Sequence, residues 1–284
     1  MQRTRRSETF LSAAAIVAGL MLFAGAAGAQ ASAVDDIVGL RAGMSYDEVV
    51  KLLEARDDVA LVETAEQWIR QSNGIPTRQL LRASDGVPCA EGEAAQRSGG
   101  HVVCDNFRGH FGARKEITNE FVVAFTGMPE AERAGIVWRR VVFPEGKSPT
   151  VASLAEALTA KYGQPHIRAT ESGYYSMSHR NGATELSWVY RPDGNPIGAD
   201  DSLKHRCVNG PKAWFAADHS WNGGCGLTVR AEILPVPGNN LLAQELHVSV
   251  VDQKTLLEHL NRFQAELKAA VELRAQGEAA NPDL

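Results

Sequence analysis

Four cysteines in two close pairs restrict this chain more than any other feature. Cys89 and Cys104 bracket one stretch, Cys207 and Cys225 another. Four cysteines permit three pairings. Local pairing is the simplest, because each pair encloses a loop rich in glycine: Gly92, Gly99 and Gly100 in the first, Gly210, Gly223 and Gly224 in the second. Closing loops of that length adds about 3 kcal/mol each in the chain-entropy model. Zinc is the competing reading, since His101 and His110 flank Cys104 while His205 and His219 sit among Cys207 and Cys225. The spacings match no zinc-finger pattern, and an exported chain oxidises its thiols. The expectation is two disulfides, with no metal and no cofactor.

The N-terminus supplies the reason to expect export. Arg3, Arg5 and Arg6 form a basic flank, Leu11 to Phe23 is apolar, and Ala27-Gly28-Ala29 gives the small-residue spacing of a signal-peptidase site before Gln30. An uncleaved anchor is the alternative, as Thr9 to Ala29 is long enough to cross a bilayer. Its second half is glycine and alanine, which favours cleavage. No cysteine lies where a lipid would be attached. Residues 1–29 are therefore expected to leave as a signal peptide. Three arginines and one glutamate leave with them, moving the net charge from −5 to −7. An acidic chain has no electrostatic case for nucleic acid. No second long apolar run follows, so no integral membrane span is expected in the mature chain. The expected location is the periplasm, with secretion to the medium as the alternative.

Punctuation along the rest of the chain gives an expected order. Ser45 at the N-cap and Glu48 three residues on form a capping box, with Met44 and Val49 placed as a hydrophobic staple. Val49, Leu52 and Leu53 make the buried stripe of that helix. Strands are expected at 59–69, 77–83, 120–125 and 136–143; in the third, Phe121, Val123 and Phe125 alternate with smaller or polar neighbours. A second helix should start from Ser148-Pro149, with Val151, Leu154, Leu158 and Tyr162 on one face and Gly163 ending it. Strands at 174–178, 184–190, 226–234 and 245–251 follow. In the third of these, Arg230 and Glu232 alternate with Val229, Ala231 and Ile233, and the charged face is read as solvated. Leu256, Leu260, Phe263 and Leu267 give a C-terminal helix its apolar face.

The expected fold is thus α+β: two helix-plus-antiparallel-sheet units whose shared order a duplication would produce, then an amphipathic helix. In residues, this is a first unit at 30–146, a second at 147–251, the helix at 252–276 and a disordered tail at 277–284.

The run Gly43-Met44-Ser45-Tyr46-Asp47-Glu48-Val49, with Val38-Gly39-Leu40 before it, resembles the helix start of the BamE (SmpA/OmlA) superfamily of small envelope proteins. The tandem order, with one cysteine loop per unit, is similar to the β-lactamase inhibitor protein family. The resemblance implies a helix on an antiparallel sheet and action by binding another protein. BamE proteins are lipoproteins, and this chain lacks the attachment cysteine.

No nucleophile elbow, phosphate loop, paired-histidine metal motif or dinucleotide fingerprint is present. Asp193-Gly194 and Asp200-Asp201 read as solvated turns. Trp188 and Tyr190 read as strand packing. Trp214, Phe215 and Trp221 fall inside the second cysteine loop, and aromatic residues on a stapled loop are the expected binding surface. The expected function is a non-enzymatic protein-binding module of the envelope, its partner an envelope or secreted protein. The alternatives are a carrier of a small apolar ligand, or an enzyme using distant residues such as His179, His205, Asp218 and His219.

Overall fold

The computed structural model describes residues 35–67, 75–90, 97–98, 101–102, 104–105, 110–169, 182–209 and 223–278. A two-residue hairpin, β1 (Asp36–Ile37) with β2 (Leu40–Arg41), leads into α1 (Tyr46–Glu54). The capping box at its start is complete: Ser45 accepts from the Glu48 backbone, and Glu48 accepts from the Ser45 backbone at 2.8 Å. Next come β3 (Leu61–Gln67) and β4 (Thr77–Ser84). Short pieces β5 (Val87–Pro88), β6 (Arg97–Ser98), β7 (His101–Val102) and β8 (Arg114–Lys115) occupy the first cysteine region. The first half closes with β9 (Asn119–Thr126) and β10 (Arg133–Val142). The second half contains α2 (Val151–Tyr162), β11 (Ile167–Ala169), β12 (Thr184–Val189), α3 (Lys204–Asn209), β13 (Leu227–Val236) and β14 (Asn239–Asp252). The chain then enters α4 (Gln253–Glu278), whose start is capped by Asp252. Residues 1–34, the strand expected at 174–178 and residues 279–284 lie outside the described residues.

The expectation of two helix-plus-sheet units is corrected. The protein is mostly β, with eight strands from both halves in one antiparallel sheet ordered β11-β12-β13-β14-β10-β9-β4-β3. The reason lies at its centre. Strands β10 and β14, the last of each half, pair in register from Ile136 opposite Val251 to Val142 opposite Glu245. Pairing satisfies backbone groups that two separate sheets would each leave as an open edge. The core ignores the halves as well. Val49 and Leu53 of α1 and Leu158 and Tyr162 of α2 belong to one buried cluster with Phe121, Val137, Trp188, Val229 and Val250 beneath them. The first hairpin also docks on α2: the Tyr162 hydroxyl donates to the Asp36 carbonyl at 2.8 Å, and Lys161 pairs with Asp36 at 3.0 Å.

The start of α2 differs from expectation too. Its N-cap is Thr150, which accepts from the Ser153 backbone at 3.0 Å, rather than Ser148. Ala243 donates to the Pro149 carbonyl, and Thr150 bridges Leu242. That pairing with β14 holds residues 149 and 150 extended, so the helix begins two residues late.

The opposite face of the sheet carries α4. Leu256 packs on Ile136, Trp138 and Val251, with Leu260 and Phe111 beside it. A Cβ at Gly135 would stand 2.4 Å from Leu256 Cδ1, so the absence of a side chain there lets the helix sit close. Among the described residues no helix is long and apolar enough to cross a membrane.

Candidate functional site

The second face of the sheet is charged where a sheet interior is ordinarily apolar. Directly opposed residues in an antiparallel sheet share a face. Glu185, Glu232, His247, Arg140, Glu120 and Ser84 stand opposite one another on six successive strands, from β12 to β4. One pleat further along the same face runs a second row: Ser187, Arg230, Ser249, Trp138, Val122 and Arg82. The reading of Arg230 and Glu232 as a solvated face is corrected, since both are fully buried. Alternation along a strand shows that it has two faces. What lies over the second face is decided by segments far away in sequence.

Burying charge is tolerable only where opposite charges and hydrogen bonds meet it. Arg82 Nε donates to one Glu120 oxygen at 2.7 Å, and Arg140 Nε stands 3.5 Å from the other. Arg230 Nη2 donates to Glu185 at 3.1 Å. The His247 ring lies 3.0 Å from Glu245 and edge-on to Trp138, with centroids 5.6 Å apart. Burial pushes the Glu185 carboxyl up from its ordinary range, Glu232 adding to the effect and Arg230 opposing it.

Both disulfides form, each within its own loop: Cys89 with Cys104, Cα atoms 6.2 Å apart, and Cys207 with Cys225, 5.4 Å apart. Buried polar side chains tie both bridges to the charged face. Arg82 donates from Nη1 to the carbonyls of Asp105, next to Cys104, and Gly112, at 3.1 and 3.3 Å. Gln253 donates to the Cys207 carbonyl at 2.7 Å and to Thr228 at 3.0 Å. Cys207 and Cys225 are themselves buried with Val189, Ile197 and Val208. Arg82 is on β4, and Thr228, which also donates to the Cys207 carbonyl at 3.3 Å, is on β13, with β9, β10 and β14 between them. At roughly 4.8 Å per strand, that separates them by about 19 Å.

Of the residues expected to bind, Trp214, Phe215 and Trp221 lie outside the described residues, as do His179, Asp218 and His219. His205 is on α3, its side chain likewise undescribed. Trp188 is core, its ring tilted against Tyr162 with centroids 5.1 Å apart and its indole N–H donating to the Gly163 carbonyl at 2.8 Å. Asp193 and Asp201 serve local turns: Asp193 accepts from Asn195, and Asp201 accepts from the Leu203 backbone and Arg191. The charged rows were missed by sequence reasoning. Their signal was present as Arg82, Arg230 and Glu232, each between apolar neighbours, and as Glu120, Arg140 and Glu185, each with an apolar residue on one side inside a strand-like run.

Comparison with protein families, with curated proteins and with solved structures finds no match.

Proposed function

We propose that this protein is an exported, non-enzymatic binding protein of the cell envelope, working in the periplasm. Its partner protein docks on the sheet face to which both disulfides are tethered. One observation supports this most: both disulfides are tethered by buried side chains to the same face, the one opposite α1 and α2. Loops closed at both ends lose little further entropy on binding. Tether points about 19 Å apart frame an area suited to a macromolecular partner rather than to a metabolite. The aromatic residues Trp214, Phe215 and Trp221 belong to the second loop, and large aromatics supply contact area at low ordering cost. The disulfides and the signal-like N-terminus support an oxidising compartment. The resemblance of the α1 start to BamE-type helices, and of the tandem order to the β-lactamase inhibitor protein family, supports binding over catalysis.

The test uses the chain expressed with residues 1–29 intact. Fractionation should recover a protein beginning near Gln30 in the periplasm. Affinity capture from the same cells should return a partner that is lost with Trp214→Ala and Trp221→Ala combined, while melting stays within a few degrees. An intact N-terminus held in the inner membrane would overturn the location. Retention of the partner by the double variant would remove the loop from the interface.

A further inference from the structure

The two disulfides differ in how far solvent reaches them. Cys207 and Cys225 are both fully buried, in the cluster of Val189, Ile197 and Val208. Cys104 is buried as well, at 1% exposure, but its partner Cys89 is only half-buried. The chain on either side of Cys89 is open too: Val87 is 42% exposed, and Pro88 and Ala90 are exposed beside it. The first bridge also has backbone support that does not run through its sulfurs. It spans β8, with one cysteine on each side. On one side the Cys89 N–H donates to the Ala113 carbonyl at 3.0 Å, and Val87 and Pro88 pair with Lys115 and Arg114. On the other, Asp105, next to Cys104, exchanges both backbone hydrogen bonds with Arg114 at 2.7 and 2.9 Å, and buried Arg82 donates to the Asp105 carbonyl at 3.1 Å.

Thiol–disulfide exchange depends on access of the attacking thiolate to one of the two sulfurs. Cys89 offers that access and Cys104 does not, while the second bridge offers it at neither end. We infer that the Cys89–Cys104 bridge is a thiol-exchange site, opened by a dithiol oxidoreductase that attacks Cys89, and that Cys207–Cys225 is a permanent bridge. The incoming thiolate forms a bond to Cys89 Sγ, the S–S bond breaks, and its electron pair leaves on Cys104 Sγ. The second thiol of the oxidoreductase, once deprotonated, displaces Cys89 from the mixed disulfide. The oxidoreductase ends as a disulfide, its two protons pass to Cys89 and Cys104, and the bridge has gained two electrons. Because the backbone bonds across β8 survive the opening, both thiols stay close and the bridge can reclose. The exchange uses none of the loop aromatics, so it stands or falls apart from the docking proposed above.

The experiment uses the mature, oxidised chain without denaturant. It is treated with dithiothreitol and quenched at intervals with N-ethylmaleimide, and the labelled peptides are quantified by mass spectrometry. Cys89 and Cys104 should be labelled together, at least about tenfold faster than Cys207 and Cys225, whose sulfurs become reachable only by local opening. Far-UV circular dichroism should stay unchanged while this happens. Replacing dithiothreitol with oxidised glutathione should restore the 89–104 bridge. A thioredoxin-type oxidoreductase whose second cysteine is serine should be trapped as a mixed disulfide on Cys89 when Cys104 is capped by the quench. Equal labelling of the two pairs, labelling only as the dichroism signal is lost, failure of the bridge to re-form, or an adduct on any cysteine other than Cys89 would each overturn the inference.

Discussion

Glu132, just before β10, joins three parts of the molecule through one carboxylate. It accepts from Arg78 Nη2 at 2.6 Å, Nε at 3.2 Å and the backbone N–H at 3.0 Å. Arg78 in turn lies 4.1 Å over the Tyr46 ring of α1 and reaches Asp47 at 3.3 Å. Burial pushes the Glu132 carboxyl up, but its bonds to Arg78 outweigh this and hold it below the usual range. A depressed folded pKa contributes stability above the unfolded value of about 4.3 and loses it as pH falls through the folded value. Glu132→Gln should therefore cost about 2 kcal/mol at pH 7 and less at about pH 3, below the unfolded value. Urea unfolding at both pH values checks this, and an equal gap at both would refute it. Gly226 offers a second test. A Cβ there would lie 2.5 Å from the Arg191 oxygen and 2.7 Å from its carbonyl carbon, both backbone atoms that cannot rotate away. Gly226→Ala should cost about 3 kcal/mol. Gly135→Ala should cost less, because it meets the flexible tip of Leu256. Thermal melting of the two variants orders them, and the reverse order would refute the account of both sites.

At the scale of elements, local chemistry was legible and tertiary pairing was not. The capping box of α1 uses only residues three apart in sequence, so Ser45 and Glu48 could be read directly. Ser148 had equal local credentials, but the bridge from Thr150 to Leu242 draws residues 149 and 150 into the sheet. Strands β4, β9 and β10 announced themselves as strand-like runs, with Phe121, Val123 and Phe125 at period two in β9. Their charged positions were legible as residues and illegible as buried, because α4 and the disulfide tethers that share that face come from elsewhere in the chain. The disulfides make the element-scale prediction. Cys207 lies on α3, and its carbonyl accepts from Gln253 and Thr228. Replacing Cys207 and Cys225 together with serine should lower stability by about 3 kcal/mol. Unchanged melting under nonreducing conditions would show that the bridge does not hold α3 on the sheet.

The whole molecule is a palindrome of strands about the β10–β14 pair, with a helix, two strands, a disulfide loop and two further strands in each half. This recurrence of order could be seen in the sequence. The fusion of both halves into one sheet could not, since Ile136 and Val251 pair across more than a hundred residues with no local signal. That fusion gives the protein its two unlike faces: α1 and α2 on one, and the charged rows, α4 and both disulfide tethers on the other. The central claim is that a partner docks on the second face. Site-specific photo-crosslinking in living cells tests it most directly, with the reactive residue placed at Trp214 or Trp221 and, as the opposite-face control, at Glu156, exposed on α2. The account predicts a discrete protein adduct from positions 214 and 221 and none from 156. An adduct from 156 with none from the loop would contradict it.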